Sequence, residues 1–489
     1  MNFKKFDLER YFLYLVVFFT IAIILNGSYL PMVDLPQHAG QVAALNDLIK
    51  GQSHWHDLVE LNFRTPYLVG YLSWLVLLQF FDIVTSSRVL VSLAFLLFVF
   101  SVNKLQKKIQ ASNIVTWIAI PSFFGFNYEW GFITYLIAIS IGILFFIQNI
   151  KLAENLNIKN CLLVTLFGVF LFFSHILSFL FFCLLSFVFV FFNLMDKKKI
   201  LKILPLYFVF FLLVIMYLSI GDTLSSQYDY GVNVMYHSFT EKVKNLMVYP
   251  FSMASGSVVI YSILLLIAPF LMGYMFTKDA VKYIPLSIFI LVWFSLPYFI
   301  NNTYFIYERY SILFFVFYYI IFDKLNEFRY ENYFKALFLF VIIYLLSDDY
   351  KNIIFAKKET VDFATLVNKL PEEKRVLGLI FEPISPSLTV PFTYVHFGSW
   401  YQAQKGGWSD FNFAWFHPQI VRYKPDQTPE AKPGFEWRPY DILKLNSCQN
   451  YDMFIVRAYD LSIANVIEHS PCHNYRIRFS EGNWLVFGK

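Results

Sequence analysis

Apolar runs long enough to cross a bilayer, separated by small clusters of lysine and arginine, recur along residues 1–346. They fall near Tyr11–Leu30, Asn113–Phe126, Gly131–Ile150, Cys161–Ile176, Ser178–Leu194, Ile203–Ile220, Val258–Phe276, Tyr283–Ile300, Tyr304–Phe322 and Tyr333–Leu346. A hydrocarbon core about 30 Å thick takes roughly 20 apolar residues of helix to cross, so this pattern predicts a polytopic bundle. With 58% hydrophobic and 15% charged residues among 489, the chain carries more apolar surface than a water-soluble fold buries. The net charge of +5 is dispersed between the runs rather than gathered on one face, which argues against nucleic-acid binding.

The cations set an expected orientation. Lys4/Lys5/Arg10, Lys104/Lys107/Lys108, Lys151/Lys159, the lysines at 197–199 with Lys202, Lys278/Lys282 and Lys324/Arg329/Lys335 can all be cytoplasmic at once. The loops 31–65, 127–130, 174–178, 221–256 and 301–303 then lie outside, together with everything after Ser347. The first run lacks a small-residue cleavage site and is read as an uncleaved helix with a cytoplasmic N-terminus. Residues 66–103 must cross an odd number of times yet hold two runs split by Asp82 and Arg88, so one of these is expected to re-enter or lie in the interface. About 11 to 13 transmembrane helices follow from this count.

Composition changes at Ser347-Asp348-Asp349. From 347 to 489 the polarity is ordinary, turn residues abound, and Met453–Val456 and Trp484–Phe487 read as strands. Val361–Leu370 reads as a helix ended by Pro371. A transmembrane domain, 1–346 with its outer loop 31–65, is thus expected to carry a C-terminal mixed α/β extracytoplasmic domain, 347–489. Cys448 and Cys472 share that domain and are open to disulfide pairing if it meets an oxidising compartment.

Ionisable residues gather at the predicted outer ends of the runs, where membrane depth makes them costly unless they have a function. Asp34 and His38, in Val33-Asp34-Leu35-Pro36-Gln37-His38, stand four apart and share a face if the loop starts helically. That pair suits a base with an orienting partner; the competing reading is an N-cap by Asp34 with Pro36 in the first turn, which leaves His38 unexplained. His54, His56 and Asp57 offer weak metal-ligand spacing beside an interfacial Trp55. Glu129, His175 and Arg309 lie where they can approach the Asp34 loop. A guanidinium at position 309 suits a phosphate, against the alternative of a salt bridge to Glu308. In the tail, His396, Lys405, Gly406 and Gly407 form one further polar segment.

The order of these features resembles the GT-C superfamily of polytopic glycosyltransferases: Asp34-Leu35-Pro36-Gln37-His38, then Asn127-Tyr128-Glu129-Trp130-Gly131-Phe132, Ser174-His175, Arg309 near the outer end of a late run, and an outer C-terminal domain. The nearest resemblance is to bacterial members that begin with Asp-x-Pro-x-His; His396–Tyr401, Lys405–Trp408 and Tyr451-Asp452 are similar to segments of their tails. The resemblance implies transfer of a sugar from a polyprenyl-phosphate donor to a lipid, glycan or protein acceptor outside the inner (plasma) membrane, in the cell envelope. It makes Asp34 the carboxylate of the first outer loop, expected to act as general base. His38 is expected to orient Asp34 or bind acceptor; Arg309 and Lys405 are expected to steady the leaving phosphate, and Glu129, His175 and His396 to line the substrate. Many members pair two acids where this chain has Asp34 and His38, so no metal ligands are assigned, no cofactor is implied, and a divalent metal stays open. The other readings are a transporter or flippase of lipid-linked sugars, which predicts mid-membrane charges and repeats not seen here, and a non-catalytic envelope assembly protein, which leaves Asp34 and His38 without a role.

Overall fold

The computed structural model describes residues 8–194, 197–222, 233–254, 256–324, 329–416 and 418–489. Lys4, Lys5 and part of the expected outer loop 221–256 lie outside the described residues. Five helices are long and apolar enough to cross a membrane: Glu9–Asn26, Ile83–Lys108, Ile133–Glu154, Ile176–Asn193 and Ile200–Ser219. The chain is accordingly a helical membrane protein with a sheet-containing C-terminal region. The helix Ile133–Glu154 is the most enclosed of the five, packed by Ile83–Lys108, Ile158–Phe172 and Ile176–Leu194, whereas Glu9–Asn26 and Ile200–Ser219 leave most of their length on the outside of the bundle.

Several expected runs are shorter than a crossing. Leu68–Leu78 has 11 residues, about 16 Å of helix, and is followed by Asp82, which caps the next helix by accepting from the backbone N–H of Val84 and Thr85. The two runs in 66–103 are therefore one short helix and one full-length helix. The run at Asn113–Phe126 gives a helix only over Ile114–Phe123, because Gly125 is pressed against the backbone of Tyr249 and Pro250, where no side chain fits. Tyr304–Phe322 is not one span either: a 3-10 turn over Glu308–Leu313 leads into the short helix Phe314–Ile320. The helix Glu331–Glu359 runs straight through the composition change at Ser347, so the shift from apolar to ordinary polarity falls in mid-helix. Hydropathy marks where solvent changes, and the backbone has no reason to break there.

In the tail, Arg375–Ile380 and Met453–Arg457 pair in parallel, flanked by Trp408–Ser409 on one side and the hairpin Arg476–Glu481/Trp484–Gly488 on the other. All five residues of Met453–Arg457 are buried, as a central strand requires. The helix Val361–Lys369 packs against this sheet, and Cys448 and Cys472 form a disulfide. The tail does not stand apart from the membrane domain. Val59–Leu61 of the loop 31–65 pairs antiparallel with Val421–Tyr423, reinforced by Arg422 and Glu60 at 2.6 Å, and the loop helix Leu35–Ile49 packs along the tail helix Gly398–Lys405.

Candidate active site

The seam between that loop helix and the tail holds Asp34. It occupies the N-cap position of Leu35–Ile49, with proline in the first turn, yet its side chain makes no capping hydrogen bond. The carboxylate is spent elsewhere: Oδ1 lies 3.3 Å from His396 Nε2. His396 Nδ1 is 2.6 Å from Gln37 Nε2. An amide nitrogen only donates, so in this amide orientation Nδ1 accepts and the ring proton sits on Nε2, facing Asp34. Asp34 Oδ2 has no hydrogen-bond partner among the described residues, and the residue is only 6% exposed.

The backbone of Asp34 is held by the short helix Phe126–Trp130. Val33 N–H donates to Glu129 O at 3.0 Å and Asp34 N–H to Trp130 O at 2.8 Å. Gly131 ends this helix at φ +93°, and a Cβ there would stand 2.8 Å from Asp34 N. The Asn127–Phe132 motif is therefore a cradle for the Asp34 backbone. Glu129 reaches the Asp34 loop only through its carbonyl. Its carboxyl turns away to Ser252 Oγ, 3.2 Å, and to the Met253 N–H, and burial pushes it up to about 8 against these hydrogen bonds.

His38, expected to orient Asp34, has another partner. Its Nδ1 lies 2.7 Å from Tyr71 Oη, and Tyr71 donates onward to Gln419 Oε1 at 2.6 Å. The tyrosine proton being so committed, His38 donates from Nδ1 and keeps a lone pair on Nε2. Burial holds its pKa down at about 4, with Asp34 pulling up and Arg309 and His396 pushing down, so the ring is neutral. His396, not His38, is the imidazole on Asp34.

Arg309 lies 3.8 Å over the Phe132 ring and donates from Nε to Phe305 O at 3.0 Å. The salt bridge to Glu308 does not form. Glu308 points instead toward His237 Nδ1, 3.5 Å away, and Arg309 has no carboxylate within bonding distance among the described residues. Its Nη1 approaches His175 Nε2 at 3.4 Å. His175 Nδ1 already accepts the Leu177 N–H, and burial keeps the ring neutral, so the proton sits on Nε2. That approach is donor to donor, which leaves a guanidinium N–H unspent. Tyr67 and Tyr135 close on His175 edge-on at 4.9 and 5.0 Å.

Lys405 does not join this group. It ends the 8-residue tail helix, about 12 Å beyond the His396 end, with Nζ 3.9 Å from Glu372 beside a cleft of about 600 Å³. His54 pairs with Glu373 at 3.4 Å and His56 with its neighbour Asp57, while Trp55 donates to Gly406 O, docking the loop 31–65 on the tail. Among the described residues no group of three or more His, Cys, Asp or Glu is placed to hold a metal ion. Sequence reasoning missed Gln37, Tyr71, Gln419, Glu436 and Trp437. Only Gln37 carried a local signal, one turn after Asp34 on the same helix face.

No protein-family model matches this chain, and no curated protein matches it either.

Proposed function

We propose that the chain is a membrane glycosyltransferase of GT-C type, moving a sugar from a polyprenyl-phosphate donor to an extracytoplasmic acceptor, with Asp34 as general base. The observation that carries this reading is the pairing of a buried, non-capping carboxylate with the His396 imidazole, on a backbone cradled by the segment whose Phe132 ring lies under an arginine with no carboxylate in bonding distance among the described residues. Asp34 Oδ1 is oriented by His396, and Oδ2 is left to take a proton. The acceptor hydroxyl attacks the anomeric carbon as its proton passes to Asp34. The bond from that carbon to the phosphate oxygen breaks, its electron pair leaves with the phosphate, and Arg309 offers the unspent N–H to that charge. Single displacement inverts the anomeric centre. His38, neutral with a free Nε2, binds an acceptor hydroxyl, and the carbonyls of Phe305 and Tyr304 hold the guanidinium over Phe132.

In this reading the shorter apolar helices complete a bundle of 11 to 13 crossings in the inner membrane. The tail is extracytoplasmic, in keeping with the Cys448–Cys472 disulfide. The donor's lipid tail stays among the Phe-rich helices. The test is purified full-length protein in nanodiscs given a radiolabelled polyprenyl-phosphate sugar. Native protein should transfer label and Asp34→Asn, equally folded and inserted, should not; near-normal turnover by the variant removes Asp34 as base.

A further inference from the structure

We propose that the acceptor is a saccharide, held against Asp34 by a subsite made of Trp437 and Glu436. This rests on the transferase reading and names the substrate class of the same site. Trp437 is 43% exposed, although its ring meets the edge of His396 at 6.2 Å, so a large apolar plate stands open beside the imidazole that orients the base. Its indole N–H has no hydrogen-bond partner among the described residues. A pyranose presents an apolar C–H face and a rim of hydroxyls, and a half-open indole beside a carboxyl matches both.

The plate is held in place at a cost. Phe392, packed edge-on against Trp437 at 5.2 Å, has φ +59°, a left-handed conformation that a bulky side chain rarely adopts. Such strain persists where the surroundings impose it, and it clusters at ligand sites. The turn Phe435–Trp437 starts from Gly434 at φ +92° and is anchored by buried Phe435. Between the two lies Glu436, whose Oε2 accepts the Gly434 N–H at 3.0 Å and whose Oε1 is left over. Burial pushes this carboxyl up to about 7, with His396 pulling it down, so it offers both donor and acceptor to hydroxyls near neutral pH. On the far side of His396, Gln37 Oε1 is buried with no partner, an acceptor that a sugar hydroxyl satisfies.

The test separates binding from transfer. Maltotriose, mannotriose and chitotriose are each titrated onto full-length protein in nanodiscs without donor, with ligand-observed saturation-transfer NMR as readout. At least one should bind, about tenfold or more weaker in Trp437→Ala, with partial recovery in Trp437→Phe. Failure of all three to bind, or unchanged binding by Trp437→Ala of native thermal stability, overturns the subsite. Binding that follows this pattern in a protein that transfers no label supports the subsite and sinks the transferase reading, so the two failures are distinguishable.

Discussion

Gly131→Ala tests the cradle that sets Asp34. At φ +93° an alanine pays about 1–2 kcal/mol for the left-handed backbone alone. Its Cβ would also stand 2.8 Å from Asp34 N and 2.9 Å from Leu35 N, and both are main-chain atoms that cannot swing aside as a side-chain tip does. Relief requires the 33–35 strand to retreat from the Phe126–Trp130 helix, stretching the hydrogen bonds from Val33 N–H to Glu129 O and from Asp34 N–H to Trp130 O. At about 1 kcal/mol each, their loss brings the total to roughly 3–4 kcal/mol. The retreat also shifts the Asp34 carboxylate from His396 by a few tenths of an ångström or more. A misplacement near 1 Å costs on the order of 100-fold in turnover. Thermal unfolding in nanodiscs measures the first effect and label transfer the second. If Gly131→Ala melts with the native protein and transfers at its rate, the close approach is not a constraint and the account of the 127–132 motif is wrong.

Glu129 has a folded pKa of about 8, above its unfolded 4.5, so the folded state binds the extra proton and native stability should fall as pH rises from 4.5 to 8. Glu129→Gln should flatten that part of the melting-temperature profile; an unchanged slope refutes it. His38 acts in the opposite direction: its pKa is depressed to about 4 from 6.5, so its share of stability is complete above 6.5 and drains as pH falls toward 4. A native melting profile that His38→Gln leaves equally acid-sensitive counts against a buried neutral ring. Reduction of Cys448–Cys472, which closes a separation of 24 residues, should cost about 3 kcal/mol, read as earlier unfolding of the tail in hydrogen exchange. Arg309→Lys should weaken donor binding at least about tenfold, because a point charge does not reproduce the guanidinium fork; unaltered donor dependence makes Arg309 structural.

What the sequence showed depended on how local the signal was. Strands Met453–Arg457 and Trp484–Gly488 and the helix Val361–Lys369 were legible because alternation, length and a terminating proline are local. Helix ends within the membrane were not, since Gly125 is stopped by Pro250 and Tyr249, 125 and 124 residues along the chain, and no run of hydropathy reports such a collision. Asp34, His175 and Arg309 stood out chemically, as ionisable groups at apolar boundaries, and His396 as part of a polar segment of the tail. Their partners did not. Asp34 and His38 share a helix, which made them look like a pair, yet each is claimed by a residue from elsewhere: His396 for one, Tyr71 and Gln419 for the other.

That division has a physical origin in the seam itself. A four-residue helical spacing places two side chains near each other but does not desolvate them, and a carboxylate left in water would keep its own hydration instead of a fixed imidazole. The tail helix supplies the desolvation: packed along it, the loop helix is buried over residues 35–43, and Gln37 and His396 meet across 359 residues of sequence. Burial on this scale is tolerable only because each polar group but a few finds a partner across the seam, as Gln41 does with the Val421 N–H and Gln402 with Gly40 O. The exceptions on the loop helix, Gln37 Oε1 and Gln41 Nε2, lie on the face that carries Asp34, one and two turns beyond it. Unsatisfied polar atoms cost free energy in an empty site and cost nothing in one that receives hydroxyls, so their position on the Asp34 face marks where a polyhydroxylated substrate would be recognised.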